Sequence, residues 1–262
     1  MESILLLSYL TSLSKENIIF YPETKINKKI EQKFFNLIER RKKREPISHI
    51  IKKREFYNLE FFVNAKVLDP RQDSEIMIEA IIKKFSKIKN LKILDMCTGS
   101  GCLIISLLKN MDSWHGCGVD ISNEALKVAK KNSVNHQVKS RLNLKKSNLF
   151  SNLNSKEKFD IIISNPPYIP SIEIKNLQPE ITLFEPILAL DGGNNGLDFY
   201  HKIADNIERF LKKDGTLFLE IGINQDKDVI KIFKKFNLVN QYKDLSGIIR
   251  CLEFTKKFST GH

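Results

Sequence analysis

Residues 159–168 read Phe159-Asp160-Ile161-Ile162-Ile163-Ser164-Asn165-Pro166-Pro167-Tyr168. Phe159 to Ser164 form an apolar, β-branched run, which predicts a buried strand. The run then meets two prolines and cannot continue in a sheet. A residue before proline is pushed to extended geometry, so Asn165 does not open a helix. Neither Pro166 nor Pro167 carries an N–H. The stretch therefore predicts a stiff turn at the C-terminal end of a strand, where open α/β sheets bind ligands. It offers an Asn side-chain oxygen, bare carbonyls and an aromatic ring. Such a cradle is rich in acceptors and poor in donors, and it suits an –NH2 group on a planar substrate. Asn-Pro and Pro-Pro also punctuate ordinary turns, so the chain around them has to decide.

Upstream, Lys92-Ile93-Leu94-Asp95-Met96-Cys97-Thr98-Gly99-Ser100-Gly101-Cys102-Leu103-Ile104-Ile105 reads as strand, tight glycine loop and helix. The loop presents backbone N–H groups and a helix N-terminus to a polar or anionic ligand. A dinucleotide fingerprint would need glycine at 97, 99 and 102, and two of these are cysteine, which disfavours an NAD site. The loop lacks the lysine of a P-loop. Next, Gly116-Cys117-Gly118-Val119-Asp120 is a second strand ending in a carboxylate about 20 residues beyond the loop, placed to take both hydroxyls of a ribose. Ser122 caps a helix predicted from Asn123 to Lys131, with Ala125, Leu126 and Ala129 facing inward. Loop and carboxylate together favour a nucleoside site over a structural turn.

Further strands are expected at Leu142–Lys146, Phe159–Ser164 and Thr216–Ile221, with a final antiparallel pair at Leu238–Tyr242 and Ile248–Phe254. A helix from Phe199 to Phe210 carries Phe199, Ile203, Ile207 and Phe210 on one stripe. Strands alternating with helices predict a doubly wound α/β domain.

The 262-residue chain allows one large or two modest domains. Residues 1–53 read as a helical domain. Leu6, Leu10 and Leu13 share one face, and Ile30, Phe34, Leu37 and Ile38 form the stripe of a second helix, Lys28 to Arg41, closed by Pro46. Arg54–Tyr57 and Phe61–Val63 read as short strands around a turn at Asn58-Leu59-Glu60, a hairpin linker over 54–66. Residues 67–262 form the second domain, opened by a helix for which Asp73 or Ser74 is the N-cap and Glu75 suits the positive end.

Composition bounds the function. Apolar residues make up 42% and charged residues 28%, the balance of a chain with a real core. Net charge is +12, but the lysines are spread along the chain, so no dedicated nucleic-acid patch is expected. The densest run, Arg40-Arg41-Lys42-Lys43-Arg44, could face an anionic partner or water. Cys97, Cys102, Cys117 and Cys251 have no C-x-x-C spacing and no His cluster, which argues against metal and disulfides and for a reducing compartment. Ile4-Leu5-Leu6-Leu7 is too short to span a membrane and lacks a basic n-region. A cytoplasmic protein is expected.

Taken in order, Ile93–Leu107, Asp120 and Asn165-Pro166-Pro167-Tyr168 resemble a class I S-adenosylmethionine-dependent methyltransferase acting on an amino or amide nitrogen. Further stretches are similar to the peptide chain release factor glutamine N5-methyltransferases, the HemK or PrmC family. These are Arg44-Glu45-Pro46-Ile47, Arg54-Glu55-Phe56-Tyr57, Asp69-Pro70-Arg71 through Glu75, Glu185–Gly193 with Gly196-Leu197, Gly215–Gly222 with Gln225, and Asp244-Leu245-Ser246-Gly247. The match covers nearly the whole chain. It departs from the family pattern at Cys97 (often Gly), Gln72 (usually Pro), and Asn148 and Asn195 (often Asp).

The resemblance implies a seven-stranded, Rossmann-like methyltransferase sheet with its last strand antiparallel. It implies S-adenosyl-L-methionine as donor, leaving S-adenosyl-L-homocysteine. The backbone of Cys97, Thr98, Gly99, Ser100 and Gly101 would hold the methionine portion, Asp120 the ribose, and Asn148 with Leu149 the adenine edge, with Asn165 also in the donor site. Asn165 and the Pro166 carbonyl would accept the two hydrogens of a glutamine amide, with Pro167 completing the turn and Tyr168 packing on the amide plane. The substrate would be the Gly-Gly-Gln loop of class 1 release factors, the enzyme a monomer with no stable nucleic-acid or membrane partner. Competing readings are a DNA adenine N6-methyltransferase, another protein or RNA amino methyltransferase, and a non-catalytic nucleotide-binding adaptor. The first lacks a base-reading insert, and the last has no use for an amide cradle.

Overall fold

A computed structural model describes residues 2–257; Met1 and residues 258–262, the end of the expected 67–262 domain, lie outside it. The strand runs form as their composition demands. β1 (Arg54–Phe56) and β2 (Leu59–Phe61) make a two-stranded hairpin. β3 (Lys92–Met96), β4 (His115–Asp120), β5 (Leu142–Lys146), β6 (Phe159–Ser164), β7 (Leu211–Glu220), β8 (Phe236–Lys243) and β9 (Ile249–Lys256) form one seven-stranded sheet in the order β5-β4-β3-β6-β7-β9-β8. The five strands from β5 to β7 are mutually parallel, and β9 runs antiparallel to both β7 and β8. The expected doubly wound, Rossmann-like seven-stranded sheet is present, with its last strand inserted antiparallel.

Strand alternation builds two cores, one on each face. Leu94 and Met96 of β3 and Ile162 of β6 pack to one side with Tyr200 and Ile203 of α9 (Asp198–Asn206). Ile93, Ile161 and Ile163 pack to the other with Met77, Ile78 and Ile81 of α5 (Glu75–Phe85) and the apolar face of α6 (Cys102–Asn110). Each fully buried Ile or Leu contributes about 1.5–3 kcal/mol, so both faces of the central strands are committed. α7 (Asn123–Asn135) runs longer than the stretch to Lys131, and the Ser122 hydroxyl accepts from the Ala125 N–H (3.2 Å), as a cap should.

The N-terminal segment is helical, in more pieces than expected. α1 is Glu2–Thr11, so Leu13 lies past its end; α2 is Lys15–Phe20; α3 is Lys28–Lys42; and α4 is Ile47–Ile51. Pro46 therefore precedes a short helix as well as following α3, in line with the fit of proline to helix starts. The arginines of the Arg40–Arg44 run are ion-paired, while Lys42, Lys43 and Arg44 stay exposed. Arg41 reaches Glu2 (3.0 Å) and Glu180 (2.9 Å), Arg44 reaches Glu180 (2.6 Å), and Arg40 pairs with Glu45 (2.5 Å). Glu180 lies in α8 (Pro179–Phe184), beyond the hairpin, so Arg41 and Arg44 tie the N-terminal helices to it.

Two local expectations are corrected by the structure. The hairpin turn is Tyr57-Asn58, with Phe56 paired to Leu59, and Leu59-Glu60 belong to β2. Both turn residues have positive φ (48° and 56°), the geometry of a two-residue type I′ turn. Tyr57 is an unusual residue there, and its N–H is held by Glu75 Oε1 (2.9 Å), a contact from outside the hairpin. Ser74 precedes α5 but makes no side-chain cap bond, and the helix is entered through a 3-10 turn at Gln72–Ser74. Its hydroxyl donates to Glu220 instead.

Candidate active site

β3 and β6 are parallel neighbours, and Met96 pairs with Ser164 at their C-terminal ends. The Ser164 hydroxyl donates to the Met96 carbonyl (2.9 Å). The segments that leave the two strands are therefore brought together: residues 97–101 after β3 and residues 165–168 after β6. The chain winds outward to β4 and β5 on one side of β3 and to β6 and β7 on the other, so the two loops flank the switch point.

The glycine loop turns through left-handed backbone at Cys97, Gly99 and Gly101 (φ 58°, 55° and 80°). A Cβ on Gly101 would lie 2.8 Å from Ile105 Cδ1 and 3.3 Å from Ala129 Cβ, so glycine lets α6 start close against α7. Thr98 turns inward, its hydroxyl donating to Asp95 Oδ2 (2.6 Å) and its N–H to the Val119 carbonyl (3.0 Å). Burial pushes the Asp95 carboxyl up to about 7, opposed by that hydroxyl. The Gly99 N–H donates to Asp120 Oδ2 and the Ser122 N–H to Oδ1, each at 2.9 Å. Burial raises the Asp120 pKa, and these N–H groups act against the rise. The carboxylate is thus fixed by backbone and keeps further lone pairs for a ligand.

At the end of β5, Leu149 adopts positive φ (50°), and the Ser147 hydroxyl donates to its carbonyl (2.7 Å). A cavity of about 190 Å³ is lined by Cys97, Gly99, Asp120, Asn148, Leu149, Asn165 and Pro167, and also by Phe199, Lys202, Lys66 and Leu188. Thr98, Ser100 and Gly101 do not line it; the first two are buried and shape the loop from beneath. The Ser100 carbonyl accepts from Asn132 Nδ2 (2.9 Å), while Asn132 also pairs with both the N–H and the carbonyl of Phe62 (2.8 and 3.0 Å). One side chain of α7 thereby joins linker and loop.

A second cavity of about 140 Å³ adjoins the first, and Asn165, Leu68 and Ala189 line both. It adds Tyr168, Arg71, Ile169, Ile181 and Leu190. Asn165 Nδ2 donates to Ser74 Oγ (3.2 Å), and its Oδ1 receives no donor among the described residues. Pro166 is buried and lines neither cavity. The Tyr168 hydroxyl donates to Glu220 Oε1 (3.5 Å), and burial raises its pKa. The Tyr168 carbonyl accepts from Gln225 Nε2 (2.9 Å), while Gln225 Oε1 accepts from the Gly222 N–H (2.9 Å). A Cβ on Gly196 (φ 75°) would lie 2.2 Å from the Tyr168 carbonyl oxygen, which is why the 191–196 loop can press on the turn. Arg71 donates to both Glu185 oxygens (2.8 and 2.7 Å); burial pushes that carboxyl up to about 7, with Arg71 opposing.

Sequence reasoning missed Ser74, Arg71, Asn132, Phe199 and Lys202 as site residues. Phe199 lies on the apolar stripe of its helix, which marks it as core. The others act across long separations and leave no local signal. The arrangement can hold a nucleoside-bearing group in the larger cavity and a planar NH2 group in the smaller one, with an amide oxygen between them. Among the described residues no cluster of His, Cys, Asp or Glu could hold a metal ion, and no helix is long and apolar enough to cross a membrane.

Two family models match the chain, the PrmC N-terminal domain over residues 2–51 and the Methyltransferase small domain over residues 65–181. A release factor glutamine methyltransferase of Thermodesulfovibrio yellowstonii is 40% identical, covering 86% of this chain and 81% of its own. A bifunctional methyltransferase of Rickettsia prowazekii is 38% identical over 97% of this chain but only 53% of its own length, so the chain spans about half of such relatives. Among solved structures, a ribosomal protein L11 methylase from Lactobacillus delbrueckii superposes with a TM-score of 0.54 at 18% identity, covering 72% of this chain and 81% of its own. That likeness is one of fold.

Proposed function

The chain belongs to the release factor glutamine methyltransferase family, and on that premise we propose that it methylates the side-chain amide nitrogen of a glutamine, that of the Gly-Gly-Gln loop in class 1 release factors, with S-adenosyl-L-methionine as donor. The observation that carries the reading is Asn165, whose amide nitrogen is turned back to Ser74 and whose oxygen meets no donor among the described residues, at the junction of the two cavities.

The larger cavity fits the donor. Asp120 suits the ribose hydroxyls, the left-handed turn at Cys97 and Gly99 the methionine end, and Asn148 with Leu149 and Phe199 the base. When bound there, the sulfonium supplies an activated methyl group whose departure needs no acid. The task left to the protein is alignment. An amide nitrogen is a weak nucleophile because its lone pair is delocalised into the carbonyl. Asn165 Oδ1 accepts from it and aims the nitrogen across the junction. The nitrogen gains positive charge as it reacts, so this acceptor binds the transition state better than the ground state. Tyr168, Leu190 and Arg71 wall the smaller cavity, which would receive the glutamine side chain. The proton then leaves to water, and no dedicated base is required.

The test offers labelled S-adenosylmethionine with purified class 1 release factor, its loop Gln→Ala variant, and unmethylated duplex DNA. Label is expected on the unaltered factor alone. Label on DNA would move the reading to adenine, and label on the Gln→Ala variant would move it to another residue of the factor.

A further inference from the structure

Asn165 works as an acceptor only in one of two orientations. A half-turn of its amide exchanges Oδ1 and Nδ2, groups of nearly equal size, and packing hardly distinguishes them. Direction has to come from the hydrogen-bond partner. That partner is Ser74 Oγ, 3.2 Å from Nδ2, and the Ser74 hydroxyl itself donates to Glu220 Oε2. We propose that Ser74 and Glu220 are positioning residues that lock the Asn165 amide with its nitrogen inward and its oxygen toward the substrate. The proposal rests on the reading of Asn165 as the acceptor of the substrate amide hydrogens.

The number of available hydrogens decides the direction. An ionised carboxylate only accepts, and a serine hydroxyl has a single hydrogen. Ser74 gives that hydrogen to Glu220 and faces Asn165 with lone pairs alone. Nδ2 then satisfies Ser74, whereas a flipped amide would set oxygen against oxygen. Glu220 is anchored in turn. It ends β7, is buried, and takes a second donor from the Tyr168 hydroxyl (3.5 Å), while the Tyr200 hydroxyl donates to its backbone carbonyl (3.0 Å). One carboxylate thus orients two residues of the Asn-Pro-Pro-Tyr turn, Asn165 both through Ser74 and by facing its amide directly, and Tyr168 through its hydroxyl.

The lock depends on charge. Burial pushes the Glu220 carboxyl up to about 7, with the Ser74 hydroxyl, Arg250 and the Asn165 amide opposing the rise and Asp73 adding to it. Arg250 of β9 and Asp73 pair with each other (2.9 Å). The phenols of Tyr168 and Tyr200 and the thiols of Cys102 and Cys251 also face the carboxylate, and burial raises all four, so they stay neutral near pH 7. Protonated Glu220 can donate to Ser74, which frees the serine hydrogen for Asn165 Oδ1 and permits the flip. The competent form is the ionised one, so turnover rises with pH through about 7.

Four proteins test this: wild type, Ser74→Ala, Ser74→Thr and Glu220→Gln. Each is assayed at saturating donor on purified class 1 release factor, with donor dissociation constants measured by calorimetry. Ser74→Ala and Glu220→Gln are expected to lose about 10–100-fold in kcat, with donor affinity within about 3-fold. Ser74→Thr keeps the hydroxyl and restores most of the rate. The wild-type pH–rate profile climbs through about 7, and that limb is absent from Ser74→Ala. A readout independent of turnover is the 15N resonance of the Asn165 side-chain amide. It is expected to titrate between about pH 6 and about pH 8 in the wild type and to stay flat in Glu220→Gln. Wild-type kcat in both Ser74→Ala and Glu220→Gln, or an Asn165 resonance that does not move with pH in the wild type, would overturn the proposal. If the resonance titrates and Glu220→Gln abolishes this, yet the wild type labels no release factor, the lock stands and the substrate reading falls.

Discussion

The 97–101 loop and the 165–168 turn leave adjacent strands at the same level and do opposite things. The first is a tight turn of left-handed backbone braced from the strands beside it: Asp95 holds Thr98, and Asp120 holds Gly99. The second has had donors removed by two prolines and is braced from afar. Ser74 reaches Asn165 across 91 residues, Gln225 reaches the Tyr168 carbonyl across 57, and Glu220 meets the Tyr168 hydroxyl across 52. The loop is held chiefly by its own left-handed backbone and by the ends of β3 and β4, with Asn132 of α7 bracing the Ser100 carbonyl. An acceptor turn needs outside help, because an Asn amide has no intrinsic preference for which end faces the ligand. Binding and turnover should therefore separate under mutation.

Asn165→Ala gives the sharpest separation. It removes the acceptor at the junction and should cut kcat by about 10²–10³-fold, the scale for loss of one preorganised polar group. Donor affinity, measured by calorimetry, should stay nearly unchanged. A variant with weakened donor binding and normal turnover of bound donor would erase the contrast between the two regions. Asp120→Ala probes the other side. The donor dissociation constant should rise about 10–100-fold, as expected for losing hydrogen bonds to a charged group, with kcat at saturation little altered. An unchanged constant would mean that Asp120 serves only to order Gly99 and Ser122.

The braces should show a graded version of the same contrast. Gln225→Ala strands the Tyr168 carbonyl and the Gly222 N–H, and Asn132→Ala strands both backbone groups of Phe62 and the Ser100 carbonyl. Each should lower unfolding free energy by about 1–3 kcal/mol in a urea titration. Gln225→Ala should take most of its activity loss in kcat, and Asn132→Ala in donor affinity. Matching kinetic profiles for the two would show that the loop and the turn are braced as one unit.

Legibility from sequence divides along the same line. Strand periodicity and the strand–loop–helix pattern at 92–105 name the sheet, because buried β-branched runs and left-handed glycines are local signals. Asp120 is legible for the same reason, since it ends a strand at a spacing that a βαβ unit dictates. Asn165 to Tyr168 is legible as a turn, but the direction of its amide is not. Ser74 reads as a helix cap, since serine is a preferred N-cap and Glu75 suits the positive end of the helix, yet a buried carboxylate from β7 takes its hydrogen. The hairpin turn falls at Tyr57-Asn58, earlier than the residues suggest, because a tyrosine at positive φ has no sequence signal; it exists because Glu75 holds its N–H. The Arg40–Arg44 run looks like a solvated face, and its pairing with Glu180 is visible only once the domains meet.

That pairing gives the smallest expected effect and bears on the acceptor side alone. Glu180 precedes Ile181, which lines the smaller cavity, and it receives Arg41 and Arg44 from α3 and the turn after it. Ion pairs at this exposure contribute about 0–1 kcal/mol each, so Glu180→Gln should barely move the unfolding midpoint. If the helical domain sets the position of α8, however, the KM for release factor should rise about 2–5-fold at low salt while kcat and donor affinity hold. Raising ionic strength shortens the screening length to below about 8 Å and should bring the wild type toward the variant. The glycine loop has no such link to the helical domain among the described residues, so donor binding should be insensitive to salt at this site. A KM that is unchanged at low salt would show that the arginines dock the domains without shaping the acceptor cavity, and the long-range bracing of the turn would then stop at Ser74, Glu220 and Gln225.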